Sequence, residues 1–282
     1  DILKIAAIVL IPMGLIVLQG DTGSALVFLS FFIVFYREGL TPNILVLGIA
    51  AIVIFVLTLV FGSLAFSIGT VLCLLVFYAF TYTNKKVLLP SIAIAAVVIL
   101  FSLSVQFLFD NVLQSHQQKR IQVTLNLIED NQGAGYNVNQ SKIAIGSGGF
   151  SGKGFLNGSH TKGDFIPEQE TDFIFCTIGE EGGWVLSSIT ILLFVLLVLR
   201  LFHLAGRAKK KFKRIFIYSL ASIIFFHLMV NVGMTIGLMP VIGIPLPLIS
   251  YGGSSILAFG IFIFTALKLD ASRVYDLQSH YI

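Results

Sequence analysis

Charge is scarce in this sequence. Only 11% of its 282 residues are Asp, Glu, Lys or Arg, 56% are hydrophobic, and the mean hydropathy is +0.95. A water-soluble globule of that make-up would carry more apolar surface than it could bury, so composition excludes that class and implies a polytopic membrane protein. Cysteine is nearly absent. Cys73 and Cys176 lie far apart in apolar runs, which implies no disulfide framework and reads as two buried small hydrophobes. His116, His160 and His203 share no metal-ligand spacing, and no Ser-His-Asp or Cys-His arrangement stands out, which speaks against a structural zinc and against triad chemistry. The chain opens at Asp1 without a basic segment ahead of its first apolar run. Nothing there has the form of a signal peptide, and the chain looks like the back part of a longer protein.

Long apolar runs are what the sequence has in abundance. They occur at about 3–19, 23–36, 43–61, 65–82, 87–109, 174–202, 215–239 and 247–268. A span needs about 20 residues for a ~30 Å hydrocarbon core, so the first two are short enough to be tilted or broken. The pattern predicts an all-α integral membrane bundle of about eight spans with one long extracytoplasmic loop. Composition divides it into N-terminal helices at 1–109, a loop at 110–172, and C-terminal helices at 173–282 with a basic connector at 201–214.

Orientation follows from Lys and Arg. Arg200, Arg207, Lys209, Lys210, Lys211, Lys213 and Arg214 cluster without an acidic residue among them, a topology and anionic-lipid determinant that belongs in the cytoplasm. Counting spans outward from there also puts Lys4, Arg37, Lys85, Lys86, Lys268 and Arg273 inside. The same count sends the QGDTG turn at 19–23, the long loop and the Pro-rich segment 240–247 to the outer face. One extracytoplasmic site is therefore expected.

The stretch PEQETDFIFCTIGEEGG, Pro167 to Gly183, ends a polar loop on Asp172 and enters an apolar run that soon carries Glu180 and Glu181. Acids at membrane depth are costly and mark function when they face a cavity. Asp172 reads as a general base or as a helix N-cap, and position alone does not separate the two. As a base it would be raised towards about 6–7 by desolvation beside Phe173, Ile174 and Phe175 and by like charge from Glu168, Glu170, Glu180 and Glu181. Glu180 and Glu181 could shape a substrate cavity, hold an ion, or pair with cations. Asp21 is open between a helix-end cap and a functional acid.

In the long loop, GSGGFSGKG at 146–154 invites a phosphate-loop reading, but Gly154 stands where Ser or Thr is required and no strand precedes it. Apolar residues such as Tyr136, Val138, Ile143, Phe150 and Phe155 argue for an ordered loop. Arg120, Lys142 and Lys153 are candidate contacts for a lipid-linked phosphate, or else solvated charges. Further on, VIGIPLPLISYGGSS at 241–255, which contains Ser250, cannot be a regular helix through Pro245 and Pro247. Such backbone at a membrane edge lines a cavity or is a plain loop before a Gly-rich helix start. Gly233 and Gly237, four apart, read as a small-residue face for close helix packing, against a partner or within the bundle.

AGYNVNQSKIAIGSGGFSGKGF, FIPEQETDFIFCTIGEEGG and NVGMTIGLMPVIGIPLPLISYGGSS, in that order, resemble the SEDS family of peptidoglycan polymerases. Through IGSGGFSGKG the loop is more similar to the cell-elongation RodA branch than to the division FtsW branch. The resemblance implies a polytopic glycosyltransferase that links lipid II into glycan strands at the outer face of the bacterial inner membrane. It implies that Asp172, in TDFIF, is the catalytic aspartate, and that a class B penicillin-binding protein transpeptidase is the partner. Of the site residues, Arg120, Lys142, Lys153, Glu180, Glu181, Asp21 and Ser250 are candidates for substrate contact. A divalent cation such as Mg2+ or Mn2+ is a candidate for offsetting pyrophosphate charge.

The sequence departs from the family in places. Gln19 to Ser24 keeps the acid and glycine of the family's Gln-Pro-Asp-Leu-Gly-Thr but loses its proline, and Glu170 stands where a His commonly precedes Thr-Asp. Two further spans, 43–61 and 65–82, lie between QGDTG and the long loop. Two other readings compete: a flippase for a lipid-linked precursor, which would need a path to both faces, and a membrane scaffold without chemistry.

Overall fold

Helices account for every regular element among the described residues, as a backbone that must satisfy itself inside hydrocarbon requires. The computed structural model describes residues 2–81, 85–128, 130, 133–163 and 165–272. Among the described residues five helices are long and apolar enough to cross a membrane: 63–80, 87–111, 174–206, 211–235 and 253–271. Three shorter apolar helical stretches, Ala7–Leu18, Thr22–Arg37 and Val46–Phe61, bring the set to the expected eight. Of the charges used for orientation, Arg273 and the side chains of Lys4, Lys85 and Lys86 lie outside the described residues.

The chain packs as two units, one formed by residues up to Leu40 with those from Asp130 onward, the other by Thr41–Glu129. In the first, α1 (Ile2–Leu18) leads into α2 (Thr22–Val27), a 3-10 turn at Phe28–Ser30 and α3 (Phe31–Arg37), so the run at 23–36 is broken into three pieces. In the second, α4 (Pro42–Phe61) and α5 (Ser63–Thr81) are separated by Gly62 at φ 80°, and α6 (Lys85–Asn111) and α7 (Ser115–Thr124) follow. The buried Thr58 hydroxyl donates to Ser102 Oγ at 3.0 Å and joins α4 to α6, a polar contact of the kind that glues helices in lipid.

The first unit continues with α8 (Ala134–Gly148), the short α9 (Ser159–Lys162), α10 (Ile174–Gly206), α11 (Lys211–Thr235) and α12 (Gly253–Ala271). The stretch expected as an ordered loop is thus helical over much of its length. Its core has two parts. Phe194, Val198, Leu201, Ile217, Ile224, Leu228 and Ala266 close α10, α11 and α12 together, while Val138, Ala144, Phe173, Cys176 and Val241 seat α8 against the start of α10.

Three expectations need correction. The last apolar run becomes helix only from Gly253, because Pro245 and Pro247 hold 236–252 out of helical geometry and Leu248 turns at φ 67°. Gly233 and Gly237 do not share a helix face, since α11 ends at Thr235 and Gly237 sits at φ 78°. Internal groups crowd both: a Cβ at 233 would lie 3.0 Å from Met239, and one at 237 would lie 2.3 Å from Lys142. Cys73 is exposed, although Cys176 is buried as expected.

The two ends of the first unit differ in chemistry. At one end Arg207 pairs with Asp270, Lys213 Nζ donates to Ser272 Oγ at 2.7 Å, Arg214 Nε donates to Glu38 Oε1 at 2.6 Å, and Arg37 Nη2 donates to the Tyr218 hydroxyl at 2.9 Å. At the other end lie the QGDTG turn, the Pro-rich segment and Asp172.

Candidate active site

The turn that presents Asp172 is built from its own backbone. Glu168 adopts φ 56°, and its carbonyl accepts the N–H groups of Thr171, Asp172 and Phe173 at 3.3, 3.0 and 3.1 Å. Phe173, not Asp172, is the N-cap of α10, and no side chain caps that helix end. Three successive carbonyls of the turn are then held from outside. Tyr251 N–H donates to Glu170 O at 2.8 Å, Ser250 Oγ to Thr171 O at 2.6 Å, and Asn231 Nδ2 to Asp172 O at 2.8 Å. Ser250 Oγ also accepts Leu246 N–H at 2.7 Å, and Asn231 Nδ2 also reaches Ile244 O at 2.8 Å. Both side chains are buried. Ser250, expected at the substrate, is here a bracket between the Pro-rich segment and the turn.

The carboxylate of Asp172 lies half-buried against Gly243, where an added Cβ would be 3.3 Å from Oδ2. Gly243 also sits at φ 73°, a region that suits glycine. The QGDTG turn closes in beside this segment, because a Cβ at Gly23 would fall 2.2 Å from Ile242 O. Three stretches singled out in the sequence therefore adjoin. Asp21 caps α2 by accepting Ser24 N–H at 2.9 Å, and hydrogen bonds from Ser24 hold its carboxyl below the usual range.

Of the readings open for Glu180, the structure shows pairing with a cation. Its side chain is fully buried, and Oε1 accepts from Lys153 Nζ at 2.7 Å and His160 N–H at 3.0 Å, with Ser147 and Ser159 hydroxyls at 3.3 Å. Oε2 accepts Thr161 N–H at 2.9 Å. The carboxylate is the hub on which loop 147–161 is wound, and Lys153, a quarter exposed, is its counter-ion. It is therefore not a bare like charge for Asp172, while Glu168 and Glu170 are exposed.

The same loop repairs a break in the helix. At Gly183 (φ 65°, ψ −163°) α10 leaves helical geometry. Lys153 and Gly154 N–H groups donate to Glu180 O and Glu181 O at 3.0 and 2.9 Å, and Trp184 and Val185 N–H groups donate to Gly149 O and Phe150 O at 2.9 and 3.2 Å. Glycine is needed for this approach, since a Cβ at Gly152 would stand 2.1 Å from Glu181 O and one at Gly148 2.1 Å from Gly179 O. The glycine-rich motif rejected as a phosphate loop is a helix-docking loop.

Lys142 is exposed on α8 beside Gly237, and the neighbouring Ser141 hydroxyl ties α8 to Thr235 O at 2.9 Å. Arg120 is half-buried on α7 in the second unit. Among the described residues no three His, Cys, Asp or Glu side chains group in a way that could hold a metal ion. Asn231 and Gly243 were missed in the sequence. An amide alone in an apolar helix was a usable signal for the first.

Comparison with known proteins bears on this arrangement. A family model described as cell cycle protein, covering FtsW, RodA and SpoVE, matches residues 45–273. The chain is 37% identical over 221 residues to the peptidoglycan glycosyltransferase MrdB of Escherichia coli K12, covering 78% of this chain and 59% of that protein. It is 34% identical over 278 residues to the peptidoglycan glycosyltransferase RodA of Treponema pallidum, covering 90% and 64%. A chain of a peptidoglycan synthase complex, reported for its structural coordination of polymerization and crosslinking, superposes with a TM-score of 0.61 at 27% identity over 95% of this chain and 61% of that one. The chain thus spans about six tenths of the length of these relatives. With the family model matched over most of its length and the SEDS motifs in place around Asp172, the chain belongs to the FtsW, RodA and SpoVE family of cell cycle proteins.

Proposed function

We propose that this chain carries the polymerising site of a peptidoglycan glycosyltransferase, which links lipid II units into glycan strands at the outer face of the bacterial inner membrane during cell elongation and shape maintenance. The observation that carries the reading is the turn at 168–173, whose three consecutive carbonyls are each held by a hydrogen bond from 231 or 250–251, so that one carboxylate is presented in a fixed place. The names of the relatives, peptidoglycan glycosyltransferases, support it.

In the proposed reaction an acceptor sugar hydroxyl attacks the anomeric carbon of a donor. The new C–O bond forms as the bond to the lipid pyrophosphate breaks, and the hydroxyl proton passes to an Asp172 oxygen. A base held by a preorganised turn loses little by reorganising at that moment. Lys142 is assigned to the pyrophosphate. A divalent ion, if the lipid-linked pyrophosphate brings one, would offset the same charge, and no step here is routed through it. The end carrying Arg207, Lys213 and Arg214 is assigned to the cytoplasm and the Asp172 end to the outer face. A class B penicillin-binding protein is the proposed partner, in keeping with the coupling of polymerization and crosslinking in the similar complex. Its repeated failure to co-purify from native membranes in mild detergent would remove that part.

Purified protein with fluorescent lipid II tests the central reading. Wild type should give glycan ladders, and Asp172→Asn should give none while expressing and melting like wild type. An Asn variant that polymerises at a comparable rate removes Asp172 from the base role; translocation without ladders in the wild type replaces the reaction class.

A further inference from the structure

Exposed apolar side chains on the long helices are accounted for by a bilayer. The loop at 149–156 is a different case, because its polarity is turned inside out. Lys153, its charged residue, points inward to Glu180 at 2.7 Å, whereas Phe150, Phe155 and Leu156 are 70%, 83% and 59% exposed. Leu156 is carried on a left-handed backbone at φ 57°, which a residue with a Cβ seldom adopts. Phe150 stacks on the indole of Trp184 with ring centroids 5.5 Å apart and planes 16° apart, and the indole is itself 63% exposed. The stack cannot withdraw. Backbone hydrogen bonds from Trp184 and Val185 to Gly149 and Phe150 hold the two segments that carry these rings together at the helix break.

Helix length says what medium these rings meet. The unbroken α10 of 33 residues would rise about 50 Å, far more than a ~30 Å core needs. The part after Gly183, from Trp184 to Gly206, rises about 34 Å and alone suffices. Trp184 thus marks the level at which hydrocarbon begins, and Arg200 and Arg207 lie towards the other boundary. Indole and phenyl rings favour that level.

We propose that Phe150, Phe155, Leu156 and Trp184 form a membrane-docking surface, occupied by bilayer lipid at the boundary between headgroups and acyl chains, that seats the glycine-rich loop on the membrane. The inference needs a membrane but not the glycosyltransferase reading.

Trp184 is the sequence's only tryptophan, so its fluorescence reports the surface directly. The chain would be reconstituted in phosphatidylcholine vesicles whose acyl chains are brominated either near the carbonyl or near the terminal methyl, with acrylamide as the aqueous quencher. The expected result is severalfold quenching by the shallow bromines, weaker quenching by the deep ones, and little by acrylamide. Dominant acrylamide quenching would mean a water-facing patch, dominant deep quenching a mid-membrane one, and none by any probe a patch covered by protein; each overturns the proposal. Relief of shallow quenching by a stoichiometric isoprenyl phosphate would also overturn it, in favour of a substrate's chain. Phe150→Ser with Phe155→Ser should raise acrylamide quenching of Trp184, and the wild-type measurement stands even where that variant fails to fold.

Discussion

Replacing Lys153 by Met tests whether the loop at 147–161 is wound on Glu180. The substitution keeps the aliphatic stem and removes the ammonium, leaving a fully buried carboxylate with two backbone N–H donors and two hydroxyls. Stripping one partner from a buried pair costs about 3–5 kcal/mol. Lys153 keeps a quarter of its side chain exposed and four other donors remain, so the lower end, about 3 kcal/mol, is expected. At about 1.4 kcal/mol per decade this raises the open population of the loop roughly a hundredfold. Glu180→Gln should cost at least as much, since each carboxylate oxygen accepts a backbone N–H, from His160 and from Thr161, and the amide NH2 must face one of those donors. The double variant should fall short of the sum, because the two residues are in contact. Hydrogen exchange of the His160 and Thr161 amides, which bond Glu180 directly, reads the opening. Unchanged exchange in either Lys153→Met or Glu180→Gln would refute the hub.

Ser250→Ala removes a hydroxyl that serves both Thr171 O and Leu246 N, so a partly buried carbonyl and a buried N–H lose partners, for about 2–4 kcal/mol. In the lipid II assay kcat should fall more than KM and Ser250→Thr should restore part of it; an Ala variant with wild-type kcat would show that the bracket does not position Asp172. Glu38 gives a pH signature: its hydrogen bond with Arg214 holds its carboxyl below the ordinary glutamate value of about 4.3. The unfolded carboxyl therefore protonates first, so the stabilisation is complete above that value and is lost as pH falls through the lower folded one. With both groups partly exposed it amounts to under about 1 kcal/mol, and Glu38→Gln should narrow the stability difference from wild type to nothing at acid pH; a difference that persists there would reject the assignment.

The helices were legible because each apolar run is long and the breaks between them are polar or Gly/Pro-rich. The position of Asp172 just ahead of α10 was legible for a related reason, standing where a polar stretch meets an apolar one. The partners of Glu180 were not, although pairing with a cation was among its readings, since they lie between 19 and 33 residues upstream. Composition also misplaced the start of α12, because Leu246, Leu248 and Ile249 count as apolar whether or not the prolines beside them permit a helix. The spacing of Gly233 and Gly237 failed at the point where α11 ends between them. Asp21 resolved as a cap because a cap needs only three residues of local geometry.

The repaired break at Gly183 bears on how the chain is made. A ribosome delivers residues 149–154 before 180–185, so the segment that will pair with the opened helix is already out when the break emerges. Until it docks, two N–H groups and two carbonyls of α10 lack these partners, and at the membrane boundary water or headgroups must meet them instead. Closure of the break is therefore coupled to translation order: a circularly permuted gene that placed 149–154 after α12 would leave it open until the last span had been made.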